Sequence, residues 1–134
     1  MIGLDTNALI RLVVADDPAQ FTAIQKRLQS VDALAESVAL NDVVLVEALW
    51  TLRRVYGFER ADLQALLVKL LATHTFKFEN REVLKQATGW YSTTPADFAD
   101  CLIAAKYAEL GCETTVTFDR GMKALPMVEV LTAY

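Results

Sequence analysis

Five short β-like runs, residues 1–4, 37–40, 75–78, 113–118 and 127–131, alternate along this chain with stretches of helical periodicity. Strands separated by helices cannot be joined by tight hairpins, so they pair in parallel through crossover units. The alternation therefore predicts an α/β sandwich. Sheets of this kind bind ligands beyond the carboxyl ends of their strands. Helices are expected over 6–14, 18–31, 42–56, 59–72, 81–91 and 96–110, with a helical turn at 120–124. The punctuation agrees. Asp17-Pro18 reads as an N-cap followed by proline at the first helical position. Asn41 or Asp42 caps the next helix and Gly57 ends it, as Gly111 ends the helix from residue 96.

A chain of 134 residues is the size of one ordinary domain, and we read residues 1–134 as a single one. With 54% hydrophobic and 22% charged residues it has enough apolar surface to fold without disulfides. No apolar run spans a bilayer, because the stretch 43–52 is broken by Glu47 and stops at Arg53-Arg54. No basic leader precedes an apolar run and cleavage site, so a cytoplasmic location is expected. The cysteines, Cys101 and Cys112, are too far apart for a zinc knuckle, and His74 is the lone histidine. Zinc chemistry and a Ser-His-Asp site both lack their ligands. His74 reads as a surface or helix-end residue.

What remains is a set of carboxylates. Asp5 ends the first strand and opens a helix, where it serves equally as an N-cap or as a ligand. Glu47 lies among Val43, Val44, Leu45, Val46, Ala48, Leu49 and Trp50. A helix apolar on nearly every face is expected to be buried, and a buried carboxylate needs a positive partner. Arg53 and Arg54 are candidates, but a metal ion fits better. Asp97 and Asp100, three residues apart, share one side of a helix and repel each other, which a divalent cation would relieve. Asp97 also suits a first-turn acid at the positive end of the helix dipole. Asp119 follows a β-branched run and precedes Arg120-Gly121, a place that also suits a turn residue. Thr117 is placed to hydrogen-bond a nearby carboxylate or a metal-bound water. Oxygen ligands without His or Cys select Mg²⁺ or Mn²⁺, and carboxylates holding such ions serve phosphoryl chemistry. The net charge of −4 argues weakly against nucleic acid, but without Asp5, Glu47, Asp97, Asp100 and Asp119 the rest of the chain carries +1.

These residues resemble the PIN-domain family, and within it the VapC-type toxins of toxin–antitoxin pairs. Ile2-Gly3-Leu4-Asp5-Thr6-Asn7 resembles the opening motif and Val44-Leu45-Val46-Glu47-Ala48-Leu49-Trp50 the glutamate helix. The segment 97–105, from Asp97-Phe98-Ala99-Asp100 onward, resembles the third motif and Thr115-Val116-Thr117-Phe118-Asp119 the fourth. The resemblance implies a three-layer α/β/α domain with a short parallel central sheet. It implies a Mg²⁺- or Mn²⁺-dependent endoribonuclease whose acidic quartet is Asp5, Glu47, Asp100 and Asp119. Asp97 is a further acidic position ranked below these, and Thr6, Asn7 and Thr117 are polar supports. It also implies an RNA substrate, a homodimer and a small antitoxin, with the helices from Pro18 and Glu59 as candidate antitoxin contacts. Arg11, Arg53, Arg54, Lys106 and Arg120 are the basic residues near the motifs.

Three other readings fit less well. A response-regulator receiver needs an acidic pair after its first strand and a mid-chain strand ending in Asp, and both are missing. A haloacid-dehalogenase-like phosphatase wants Asp-x-Asp, but position 7 is Asn. A PIN-like binding module without catalysis predicts at least one acid lost from the quartet, and all four are present.

Overall fold

The computed structural model describes residues 1–133 and divides into two compact units, Met1–Glu79 and a second from Asn80 onward. The first unit holds β1 (Ile2–Gly3), α1 (Thr6–Val13), α2 (Pro18–Ala33), β2 (Val38–Leu40), α3 (Asp42–Arg54), α4 (Arg60–Ala72) and β3 (Phe76–Phe78). Its three strands lie in the order β1-β2-β3, all parallel, with Ile2 opposite Val38 and Val38 opposite Phe76. Each parallel pairing needs a crossover. The α1–α2 and α3–α4 segments supply them.

Local chemistry sets the helix ends. The Asp5 carboxylate accepts from the Ala8 N–H at 2.9 Å, Asp17 caps α2 ahead of Pro18, and Asn41 accepts from the Val44 N–H at 2.8 Å. Asn41, and not Asp42, is thus the cap of α3. Gly57, at φ +70°, turns the chain after α3 through a left-handed conformation that favours glycine. Beyond it, the Asp62 carboxylate reaches back to the Glu59 N–H at the start of α4.

The core of this unit is built from Leu9 and Ile10 of α1, Val31 of α2, Val38 and Leu40 of β2, Leu45, Leu49 and Leu52 of α3, and Leu63, Leu67 and Leu70 of α4. Most of the leucines of α4 are therefore core residues, while Leu66 lines a shallow groove of about 490 Å³ with Val13, Phe58, Ala65, Asp62 and Lys69. Helix α3 departs from expectation. It is not buried all round: Val43 is 66% and Trp50 61% exposed, and Glu47 between them is exposed as well. The hydrophobic residues of α3 form two faces, and the fold buries one of them.

A side-chain network ties the far end of α1 to its neighbours. Arg11 Nη1 donates to Asp16 Oδ1 at 2.9 Å and to the Tyr56 hydroxyl at 3.0 Å. The Tyr56 hydroxyl donates in turn to Asp16 Oδ2 at 3.0 Å, and Arg11 Nε donates to Gln20 Oε1 at 2.7 Å.

The second unit holds α5 (Arg81–Thr93), α6 (Phe98–Glu109), β4 (Thr115–Thr117), a 3₁₀ turn (Arg120–Met122) and β5 (Val128–Val130). Asn80 caps α5 through the Val83 N–H. The two helices pack side by side, with Tyr91 and Phe98 edge-to-face at 6.0 Å and Leu84, Ala87, Cys101 and Leu102 buried. Gly111, at φ +93°, terminates α6. Strands β4 and β5 are parallel, with Thr115 opposite Val128 and Thr117 opposite Val130. The α/β expectation with parallel pairing holds in both units. The expected helix 96–110 is shorter at each end, and the expected strand 113–118 narrows to three residues. Among the described residues no helix is long and apolar enough to cross a membrane.

Leu45 is fully buried and Val43, two residues away, is exposed. Leu45→Ala should cost about 2–5 kcal/mol and Val43→Ala less than about 0.5 kcal/mol, read as the difference in chemical denaturation midpoints. Equal losses would mean that α3 buries the other face.

Candidate active site

In the first unit, the acids named from the sequence sit at the carboxyl end of β1 and on the solvent face of α3. Leu4 continues the ladder beyond β1, its N–H bonding to the Ala39 carbonyl at 3.2 Å, so the chain delivers Asp5 directly after paired backbone. Asp5 uses Oδ1 to cap α1. The cap and the ligand roles are therefore not exclusive, since the second carboxylate oxygen has no protein partner among the described residues. One residue on, Thr6 Oγ1 donates to Glu47 Oε1 at 3.1 Å, bringing the start of α1 to the middle of α3. Asn7 is exposed.

Glu47 is not the buried carboxylate expected from its neighbours. It is exposed, and its side-chain partner is a hydroxyl, not an arginine. Arg53 turns instead to the Phe58 carbonyl at 3.0 Å and to Glu59 at 3.6 Å. Arg11, one of the basic residues near the motifs, is committed to Asp16, Tyr56 and Gln20. Sequence reasoning did not foresee Asp16 and Tyr56 as partners of Arg11. Residues 11 and 56 are 45 apart, and no periodic signal links them.

In the second unit, Asp97 occupies the N-cap position of α6, but its side chain makes no capping bond. Asp100 stands in the first turn of the same helix, half-buried. Asp119 follows β4, where its Oδ1 accepts from the Gly121 N–H at 2.7 Å and its own N–H bonds to Thr117 Oγ1 at 3.0 Å. The Thr117 hydroxyl thus supports the turn that carries Asp119, and does not reach a carboxylate. Gly121 leaves room beside it, since a Cβ there would lie 3.0 Å from Asp119 Oδ1 and the carboxylate would have to give by a few tenths of an ångström.

These three acids interact. The Asp100 carboxyl is pushed above the usual aspartate range, first by burial, then by the negative charge of Asp119 and then by that of Asp97. No ion pair to Asp97, Asp100 or Asp119 forms among the described residues. Among those residues, no group of three or more His, Cys, Asp or Glu side chains closes into a ready chelate. The donor chemistry nevertheless suits a hard divalent cation: all the ligating atoms are oxygens, and the mutual repulsion is of the kind that a cation removes.

A parallel α/β chain with aspartates placed directly after its strands carries its acids where such sheets bind ligands. The chain belongs to the PIN domain family, whose match covers residues 2–127 and so runs through both units. It is similar to the VapC ribonuclease of Aquifex aeolicus (strain VF5), with 25% identity over 122 residues, 91% of this chain and 90% of that one. No solved structure matches it.

The raised Asp100 pKa fixes a sign. Ionising Asp100 costs more in the folded than in the unfolded chain, so this residue lowers stability as pH rises from the ordinary value of 3.8 through its folded value. In EDTA at neutral pH, Asp100→Asn should therefore melt higher than the parent chain. The gain should shrink as pH falls toward 3.8. Paired thermal melts across that range check it, and a variant less stable at neutral pH would contradict the repulsion.

Proposed function

We propose that this chain is a metal-dependent endoribonuclease, the toxin of a toxin–antitoxin pair, with Asp5, Glu47, Asp100 and Asp119 as its catalytic acids. The reading treats residues 1–134 as one nuclease domain in the cytoplasm. Its main support is a half-buried Asp100 carboxyl pressed by Asp119 and Asp97 and joined to no basic side chain among the described residues, in a PIN-domain chain similar to a VapC ribonuclease. Such an arrangement costs stability, and function is the usual reason a fold keeps it.

Asp100 and Asp119 of the second unit would hold Mg²⁺ or Mn²⁺, with Asp97 as a further acid acting on Asp100, and we assign Asp5 of the first unit to the same role. When bound, the ion would lower the pKa of a water, neutralise the scissile phosphate and stabilise the leaving oxygen. The second oxygen of Asp5 meets no protein donor among the described residues, while Oδ1 is held by the Ala8 N–H. Glu47, steadied by Thr6, would help hold the ion or orient the attacking water. Asn7 and Thr117 complete the polar support, Thr117 by holding the Asp119 turn. Arg54 and Arg120, both exposed and close in sequence to Glu47 and Asp119, are the basic residues we assign to RNA phosphates.

The partners we assign are RNA, a second copy of the chain and an antitoxin. Ile103, Tyr107 and Leu110 form an exposed apolar stripe along α6 that suits self-association. The groove on α4 between Val13, Phe58 and Leu66 is the concave apolar surface that an antitoxin segment would meet. The second reading, a PIN-like module that binds without cleaving, is favoured by the open arrangement of the acids, in which no three form a ready chelate among the described residues.

Asn keeps the oxygen that caps α1 but loses the charge, so Asp5→Asn separates catalysis from folding. It should lower RNA cleavage by at least about a hundredfold and relieve growth arrest, with the melting temperature nearly unchanged. Full activity in this variant or in EDTA would refute the assignment. Mn²⁺ at a hundred times its dissociation constant should stabilise the chain by about 2.7 kcal/mol, measured by thermal melting. An unchanged melt would favour the binding module.

A further inference from the structure

The Arg11 network bonds to none of the candidate catalytic acids, and nothing in the proposed chemistry uses it. Its geometry nevertheless bears on them. Arg11 Nη1, the Tyr56 hydroxyl and the two Asp16 oxygens form a closed triangle with sides of 2.9, 3.0 and 3.0 Å. The hydroxyl accepts from Arg11 and donates to Asp16, so its donor and acceptor capacities are both engaged. The Arg11 and Asp16 side chains are 25% and 43% exposed, so the triangle is a partly exposed cluster whose strength lies in its closed geometry more than in burial.

The triangle joins the end of α1 to the residues just beyond α3. At its start, α1 touches α3 through the Thr6–Glu47 bond. Thr6 and Arg11 are five residues apart, about 7.5 Å along α1, while Glu47 lies in the middle of α3 and Tyr56 just beyond its C-cap Val55. The two helices therefore run in the same general direction and are tied at two separated points. Helix α1 has only eight residues. Leu9 and Ile10 pack α1 into the core, but apolar packing is non-directional and the exposed hydroxyl–carboxylate bond at its start contributes only about 1 kcal/mol toward fixing its rotation and register. With a second tie at its far end it is held in register.

We propose that Arg11, Asp16 and Tyr56 act as a positioning clamp that sets the Thr6–Glu47 contact and, through it, the placement of Glu47 relative to Asp5. None of the three touches substrate; they act through α1 and α3. The consequence for catalysis rests on the nuclease reading, while the mechanical claim about α1 does not. The clamp also explains why Asp16 stands beside the capping Asp17: one acid starts α2 and the other anchors α1.

The test uses Tyr56→Phe, which keeps the ring and removes one hydroxyl, with Arg11→Gln as a second variant. Amide hydrogen exchange in the metal-free chain gives a readout independent of activity. The Ala8 and Leu9 N–H groups bond to the Asp5 side chain and carbonyl, at the end of α1 remote from the clamp. Their exchange should quicken several-fold in either variant relative to the amides of Leu45 and Leu67. In parallel, Mn²⁺ affinity measured by calorimetry should fall roughly tenfold. Thr6→Val should weaken Mn²⁺ to a similar degree, and adding Tyr56→Phe to it should weaken Mn²⁺ little further. Exchange that changes only near residues 11–21 and 55–58 would overturn the clamp. So would wild-type Mn²⁺ affinity in Tyr56→Phe, or fully multiplicative losses in the double variant. A parent chain that binds no Mn²⁺ would refute the nuclease reading instead, and the exchange at Ala8 and Leu9 would still decide the clamp.

Discussion

The central constraint in the first unit is that β2 is hydrogen-bonded along both edges, to β1 and to β3. Val38 and Leu40 are fully buried. A strand in that position can have only parallel neighbours reached by long crossovers, given the helices on either side of it in sequence. The crossovers bring α1 and α3 back over the sheet, each starting directly after a strand. Asp5 and Asn41 stand at those starts as caps, and Asp5 is thereby delivered to the strand's carboxyl end. The position of the first acid is a by-product of how parallel strands must be connected.

The second unit reaches a similar result with less material. Only the ten residues 118–127 separate β4 from β5, too few for a full helix. The chain uses a single 3₁₀ turn, and Met127 adopts a positive φ of 56° before β5 begins. The tightness of this crossover is why the Asp119 turn is so heavily bonded, by Thr117 on one side and Gly121 on the other.

Much of this was legible in the sequence because it depends on local chemistry. Pro18 after Asp17, Gly57 after α3 and Gly111 after α6 act through their own backbone preferences, and each marks the boundary it was read to mark. The direction of a side chain was less legible. Val43 and Trp50 are as apolar as Leu45 and Leu49, yet they face solvent, because apolarity does not state which face a sheet will cover. That error carried over to Glu47, whose expected burial was inferred from those neighbours. The acids of the candidate site could be named from their positions, but not their loads: Asp97 stands at a cap it does not make, while Asp5 and Asp119 each bond a backbone amide. The partners of Arg11 lie in the next turn and beyond α3, so its role emerges only when the helices are in place.

The shared burden on Asp5 and Asp119 has an evolutionary corollary. Each carries scaffolding with one oxygen, an acceptor that an asparagine amide reproduces. A lineage that ceased to need the negative charge could drift to asparagine at either place by one nucleotide change and keep the same backbone. Relatives that have retired from chemistry should therefore preserve this architecture with amides at those two positions, and alanine there should be scarce.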